Sequence, residues 1–323
     1  MGNFRLIEFQ KTRNFSDKVS ITFVFFRQNF KGLSRSLLYI AGPPILVSSL
    51  LMGSSMKGIF SNSTAGPEAM ANYFGSVNLW IEMLLSFVFF VVSIVSIIAT
   101  INNYLILYQE KQTNEIEVSE VWQRVRKTFF MYLISSFLFG LFAMIAYFLL
   151  IIPTVVLAAI SPLLIFLGIL VLFGGFVYLF ISASLLFVVQ GFEKRNFFTA
   201  VERSFKLTRG KWWSTFGIYL ILMLLVITIA YVFFIPGYLI MIMGSLHNTE
   251  GSSFNESGGI LSFVVMMSMT LYFLSFMLLI CLPMIGLSFQ YFNLVELKEA
   301  RGLLSQINTI GEVPIAPTEE EHY

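Results

Sequence analysis

Six long apolar stretches run along the chain, at about residues 37–56, 79–108, 129–151, 164–189, 217–243 and 261–295. A helix needs about 20 apolar residues to cross the roughly 30 Å of bilayer hydrocarbon, and each stretch is long enough to do so. The pattern predicts an all-α membrane protein with six transmembrane helices. The segments ahead of the first, third and fifth stretches are patterned differently. In the middle one, Val118, Val121, Trp122, Val125 and Phe129 fall at i, i+3, i+4, i+7 and i+11 as one apolar stripe, while Glu120, Gln123, Arg124 and Lys127 face away. Val19, Phe23, Phe26 and Phe30 keep the same kind of spacing in the first. Each of these segments reads as an amphipathic helix at the membrane surface.

The three segments also resemble one another. With Ser20, Ser119 and Thr199 set as equivalent, Phe26, Val125 and Phe205 align six residues on, each followed by a base: Arg27, Arg126 and Lys206. In the third copy Glu202 and Arg209 stand where the other two copies carry aromatic residues. Thr199 and Glu202 have the spacing of a capping box. The expected organisation is three units of interfacial helix, span and span. An N-terminal segment over 1–36 precedes a six-span membrane domain over 37–300, and a disordered tail covers 301–323.

Composition agrees with a lipid solvent. Of 323 residues 57% are hydrophobic and 12% charged, about half the charged fraction of an ordinary soluble domain. Charge then fixes the expected orientation. With the N-terminus in the cytoplasm, 19 of the 20 Lys and Arg lie on the cytoplasmic side and only Lys57 lies outside, where residues 58–78 read as a polar loop. A third span within the uncharged run 128–192 would export Lys194, Arg195, Arg203, Lys206, Arg209 and Lys211, so Pro153 and Pro162 are expected to bracket a tight outer hairpin instead. Both termini are then cytoplasmic, and the first 20 residues carry no signal-peptide apolar core. The expected location is a bacterial inner membrane.

The run from Ala200 through Arg203, Ser204, Leu207 and Gly210 to Trp212 and Trp213, leading directly into a span, resembles a recurring segment of a bacterial family: the integral-membrane domain associated with glycerophosphodiester phosphodiesterases. The resemblance covers about 25 residues, and the six-span layout extends it loosely over residues 15–301. It implies an all-helical membrane domain without an assigned activity. The soluble catalytic barrel of some members has no counterpart among these residues, so hydrolysis is not carried over.

Few residues suit catalysis. Asp17 is the only Asp, and His247 and His322 are the only His, so an aspartyl dyad, a Ser-His pair or a zinc motif finds no material. The expectation is a non-enzymatic protein without cofactor or metal. Lys194 to Lys211 carries six bases with Phe197, Phe198, Phe205, Trp212 and Trp213 interleaved. Tethered between two spans, this segment suits anionic headgroups on the cytoplasmic leaflet rather than nucleic acid, at about 1 kcal/mol per base. Lys194, Arg195, Arg203, Lys206, Arg209, Lys211, Trp212 and Trp213, with Trp122, Arg126 and Arg27 from the other copies, are the expected contacts to lipid or to other membrane proteins. The leading expectation is a scaffold or accessory subunit. A transporter of a lipid or small apolar solute is the alternative, with Glu82, Asn102, Asn103, Gln190, Gln290 and Asn293 as cavity-lining residues. Glu82 reads either as a proton or cation ligand or as an interfacial carboxylate, and the amides either as a vestibule ring or as partners for helix ends.

Overall fold

A computed structural model describes residues 6–248 and 258–300, together with 302 and 304. Among these residues every regular element is helical. Helix α1 (Phe15–Ile40) ends at Ala41, and α2 (Gly42–Ala65) leaves it at a 61° bend. Pro43 and Pro44 have no N–H to give to the carbonyls of Tyr39 and Ile40, so the helical ladder stops there. Then follow α3 (Pro67–Gly75), α4 (Val77–Lys111), α5 (Val118–Ile160), a 3-10 turn at Pro162–Leu164 and α6 (Ile165–Ala183). The chain finishes with α7 (Leu186–Glu193), α8 (Phe197–Thr208), α9 (Trp212–Asn248), α10 (Gly258–Leu279) and α11 (Cys281–Glu299). Five helical stretches are long and apolar enough to span a membrane, and the bent α1–α2 pair makes a sixth if it counts as one. This is a membrane protein.

Three local expectations are corrected. Residues 58–78 are helical over most of their length rather than a loop. Their polar side chains bond their own helix: Asn62 Nδ2 donates to the Gly58 carbonyl at 2.8 Å and Ser63 Oγ to Phe60 at 2.8 Å. Pro153 does not end its helix, for α5 runs through it to Ile160 and the chain turns at Ser161. Membrane helices tolerate such a proline because neighbouring groups take up the freed carbonyl. Finally, the middle amphipathic segment is the first three turns of α5 itself and not a separate helix.

α2 packs between α4 and α10, α10 lies against α9, and α4 lies against α5, which pairs with α6. Burial is uneven along this bundle. Half of the most apolar window of α4 is buried, against 6% for α5 and 11% for α6–α7. The buried residues of α4 are concentrated from Ser93 to Tyr108, and those of α11 run almost unbroken from Cys281 to Val295. The core therefore sits where α4, α7 and α11 approach the charged segments, here called the basic end. Phe9, from the irregular lead-in to α1, is 4% exposed and inserted there among Phe25, Tyr108, Phe289 and Phe292, with ring centroids 4.8–6.2 Å away. Backbone bonds fix this lead-in: the Ile7 N–H donates to Tyr108 Oη at 3.1 Å and the Arg13 N–H to Asn293 Oδ1 at 2.7 Å.

The apolar interior also holds polar groups. The buried face of α1 includes Lys18, Thr22, Asn29 and Ser36 among Phe25, Leu33, Leu37 and Ile40, whereas Phe23 and Phe30 of the apolar stripe are exposed. Lipid accepts apolar side chains, so the polar groups turn inward to find partners. The repeat alignment locates two layers of them. Nine residues past each anchor stand Asn29, Thr128 and Thr208, and each donates to the carbonyl four residues back, at 3.0, 3.1 and 2.9 Å. Sixteen residues past stand Ser36, Ser135 and Thr215. Two of these hydroxyls receive a glutamine from a later helix: Gln190 Nε2 of α7 reaches Ser135 at 2.7 Å and Gln290 Nε2 of α11 reaches Thr215 at 2.9 Å.

Candidate functional site

The basic end is assembled around α8. Asn196 caps this helix, its side chain accepting from the Thr199 N–H at 3.0 Å. The capping box expected from Thr199 and Glu202 does not form, because Asn is the stronger cap and stands three residues earlier. Glu202 instead pairs with Lys206 one turn on, at 2.6 Å. The inner face of α8 carries Ala200, Ser204, Leu207 and Thr208. Ser204 Oγ donates to the Ser182 carbonyl at 2.7 Å and accepts from the Leu185 N–H at 3.2 Å, so one hydroxyl bridges both sides of the α6–α7 break. Gly210 (φ +81°) turns the chain into α9 in a conformation that side chains disfavour. Trp212 then donates its indole N–H to the Tyr178 carbonyl at 3.2 Å and stacks on Tyr178 and Phe216. Most of the Ala200–Trp213 segment thus clamps α8 to the interrupted hairpin.

Charge completes the clamp. The Glu193 side chain, 6% exposed, bonds Arg203 at 3.0 Å and Arg195 at 2.7 Å and accepts from Tyr291 Oη at 2.9 Å. Arg203, 14% exposed, also pairs with Glu299, tying α7, α8 and α11 together. Burial pushes the Glu193 carboxyl upward, but hydrogen bonds from Arg203 and Tyr291 and the charges of Arg203 and Arg195 outweigh it, and its pKa is lowered. Burial likewise opposes the Arg203 charge, yet the two carboxylates prevail and raise its pKa. Lys298 Nζ closes the far end of α8 by donating to the carbonyls of Lys206 and of Arg209, the latter at 3.1 Å.

The six bases of this segment therefore divide. Arg203 is spent inward, Arg195 is held by Glu193, and Lys206 is held by Glu202. Lys194, Arg209 and Lys211 are exposed, and among the described residues no carboxylate lies within ion-pair distance of them. Trp213 is 78% exposed beside Lys211, and Phe198 is 74% exposed on the outer face of α8. In the other copies Arg27 is exposed on α1, and the Arg126 guanidinium lies over the Trp122 ring at 5.6 Å.

The six residues expected to line one cavity are not brought together. Asn102 bonds the Phe187 carbonyl at 3.3 Å and borders a largely apolar space of about 150 Å³. Asn103 and Gln190 border a different recess, with Lys127 and Lys194. Gln290 is engaged by Thr215 and Asn293 by Arg13. Glu82 lies in the second turn of α4, 20 residues and about 30 Å along the helix from Asn102. Sequence reasoning missed Glu193, Tyr291, Glu299 and Phe9. The ion pairs of the two glutamates join positions up to 96 residues apart, which spacing along the chain does not reveal. Small polar side chains nine and sixteen residues past each anchor were a usable signal for the inner layers.

No family model matches the chain, and no curated protein or solved structure matches it either.

Proposed function

We propose that the protein is a non-enzymatic, six-span protein of a bacterial inner membrane, with both termini cytoplasmic, that holds anionic lipid at its cytoplasmic face and offers that face to other membrane proteins. The observation that carries this reading is the outer edge of α8 and the start of α9. There Arg209 and Lys211 lack carboxylate partners among the described residues and stand next to the largely exposed Trp213. An indole and unpaired cations side by side suit the headgroup layer of an anionic leaflet. The distribution of Lys and Arg supports the orientation. The Ala200–Trp213 segment supports kinship with the membrane domain associated with glycerophosphodiester phosphodiesterases, without their hydrolytic activity.

The test is lipid analysis of the full chain purified in mild detergent, wild type against Arg209→Gln with Lys211→Gln. Two bases at about 1 kcal/mol each correspond to a fall in retained anionic lipid of roughly tenfold or more. Unchanged anionic lipid in the variant contradicts the reading.

A further inference from the structure

The α1–α2 bend leaves an open crevice of about 490 Å³ between Pro43 and Pro44, the Phe89 and Val92 face of α4, and the first turns of α5. Its walls are almost wholly apolar, yet Arg126 borders it. Two neighbouring cations are neutralised within the protein, Arg124 by Glu110 and Lys111 by Glu120, while Lys127 borders a different recess. Arg126 has no carboxylate within ion-pair distance among the described residues and rests on the face of Trp122.

The third copy of the repeat provides a contrast to this position. The equivalent base of the third copy, Lys206, is matched by Glu202 one turn earlier. In the middle copy Trp122 occupies the place of Glu202. An indole holds the guanidinium by cation–π attraction but leaves its charge uncancelled and its N–H edge free for a bidentate oxyanion. An unpaired guanidinium beside an apolar crevice calls for a ligand with an anionic head and a hydrocarbon body. We propose that the crevice is a binding site for one anionic phospholipid, with its phosphate on Arg126 and an acyl chain between α2, α4 and α5. This deepens the lipid-holding reading and rests on it, but it assigns a discrete site separate from the α8 edge.

The experiment is native mass spectrometry of the full chain released from vesicles of phosphatidylcholine and phosphatidylglycerol. Wild type is expected to retain one phosphatidylglycerol more tightly than the rest. Arg126→Gln should weaken that retention about tenfold, as loss of a charge-assisted contact does, while Arg126→Lys keeps part of it. A photoactivatable phosphatidylglycerol should label the wild-type peptide holding Trp122 to Phe130, which checks the site without any substitution. If wild type retains phosphatidylglycerol and Arg126→Gln retains it equally, or if the label falls elsewhere, the discrete site is overturned and the broader reading stands. If wild type retains no phosphatidylglycerol in preference to phosphatidylcholine, both fall.

Discussion

The two ends of the bundle are built on different physics. At the basic end, aromatic rings interlock around Phe9, amides meet hydroxyls between helices, and a buried carboxylate joins three helices. At the other end, the α5–α6 hairpin leaves Phe148, Leu149 and Phe166 about 60% or more exposed. It is held by close approach at Gly168, where a Cβ would meet the Thr154 backbone at 2.7 Å, with a bond from Thr154 Oγ1 to the Gly168 carbonyl at 2.8 Å. Lipid supplies no hydrophobic drive for helices to associate, so stability concentrates where polar partners and tight packing are available. The end with the most specific contacts is also the end with the uncancelled cations.

Substitutions sharpen this contrast, and the largest effect belongs to Phe9. Phe9→Ala empties a position packed by four rings and should lower unfolding stability in detergent by about 3 kcal/mol, read from thermal or denaturant melts. Glu193→Ala should cost about 2–3 kcal/mol because it leaves Arg203 largely buried with one partner fewer, discounted for the partial exposure of the cluster. The lowered Glu193 pKa adds a pH dependence. Its contribution is fully present above the ordinary carboxylate range and is lost as pH falls through the lowered value. Acid melts should therefore lose less stability in Glu193→Gln than in wild type. Gln290→Leu removes one inter-helix bond and should cost about 1 kcal/mol. Phe148→Ala, on the lipid-facing hairpin, should change stability by less than about 0.5 kcal/mol. A Phe148→Ala effect as large as that of Phe9→Ala would erase the distinction between the two ends.

The spans were legible because hydropathy over about 20 residues is the strongest signal a membrane sequence carries. The inside of the bundle was harder to read. In water an apolar stripe marks the buried face, but in lipid Phe23 and Phe30 face outward while Thr22, Asn29 and Ser36 face inward. Helix ends were misread where punctuation residues were trusted: Pro153 lies inside α5, and Ser, Asn and Gly after Lys57 continue α2. At the site, composition located the basic segment but not the division between Arg203, which is neutralised, and Arg209 and Lys211, which have no carboxylate partner among the described residues. That division depends on Glu193 and Glu299, which reach α8 from α7 and from the end of α11.

The central claim is that the packed basic end is the lipid-holding end, and hydrogen exchange of the full chain in nanodiscs tests it most directly. Replacing neutral lipid by phosphatidylglycerol should slow exchange in residues 118–130 and 197–213 and leave residues 144–170 of the lipid-facing hairpin unchanged. An equal response in both regions, or none in either, would contradict the account.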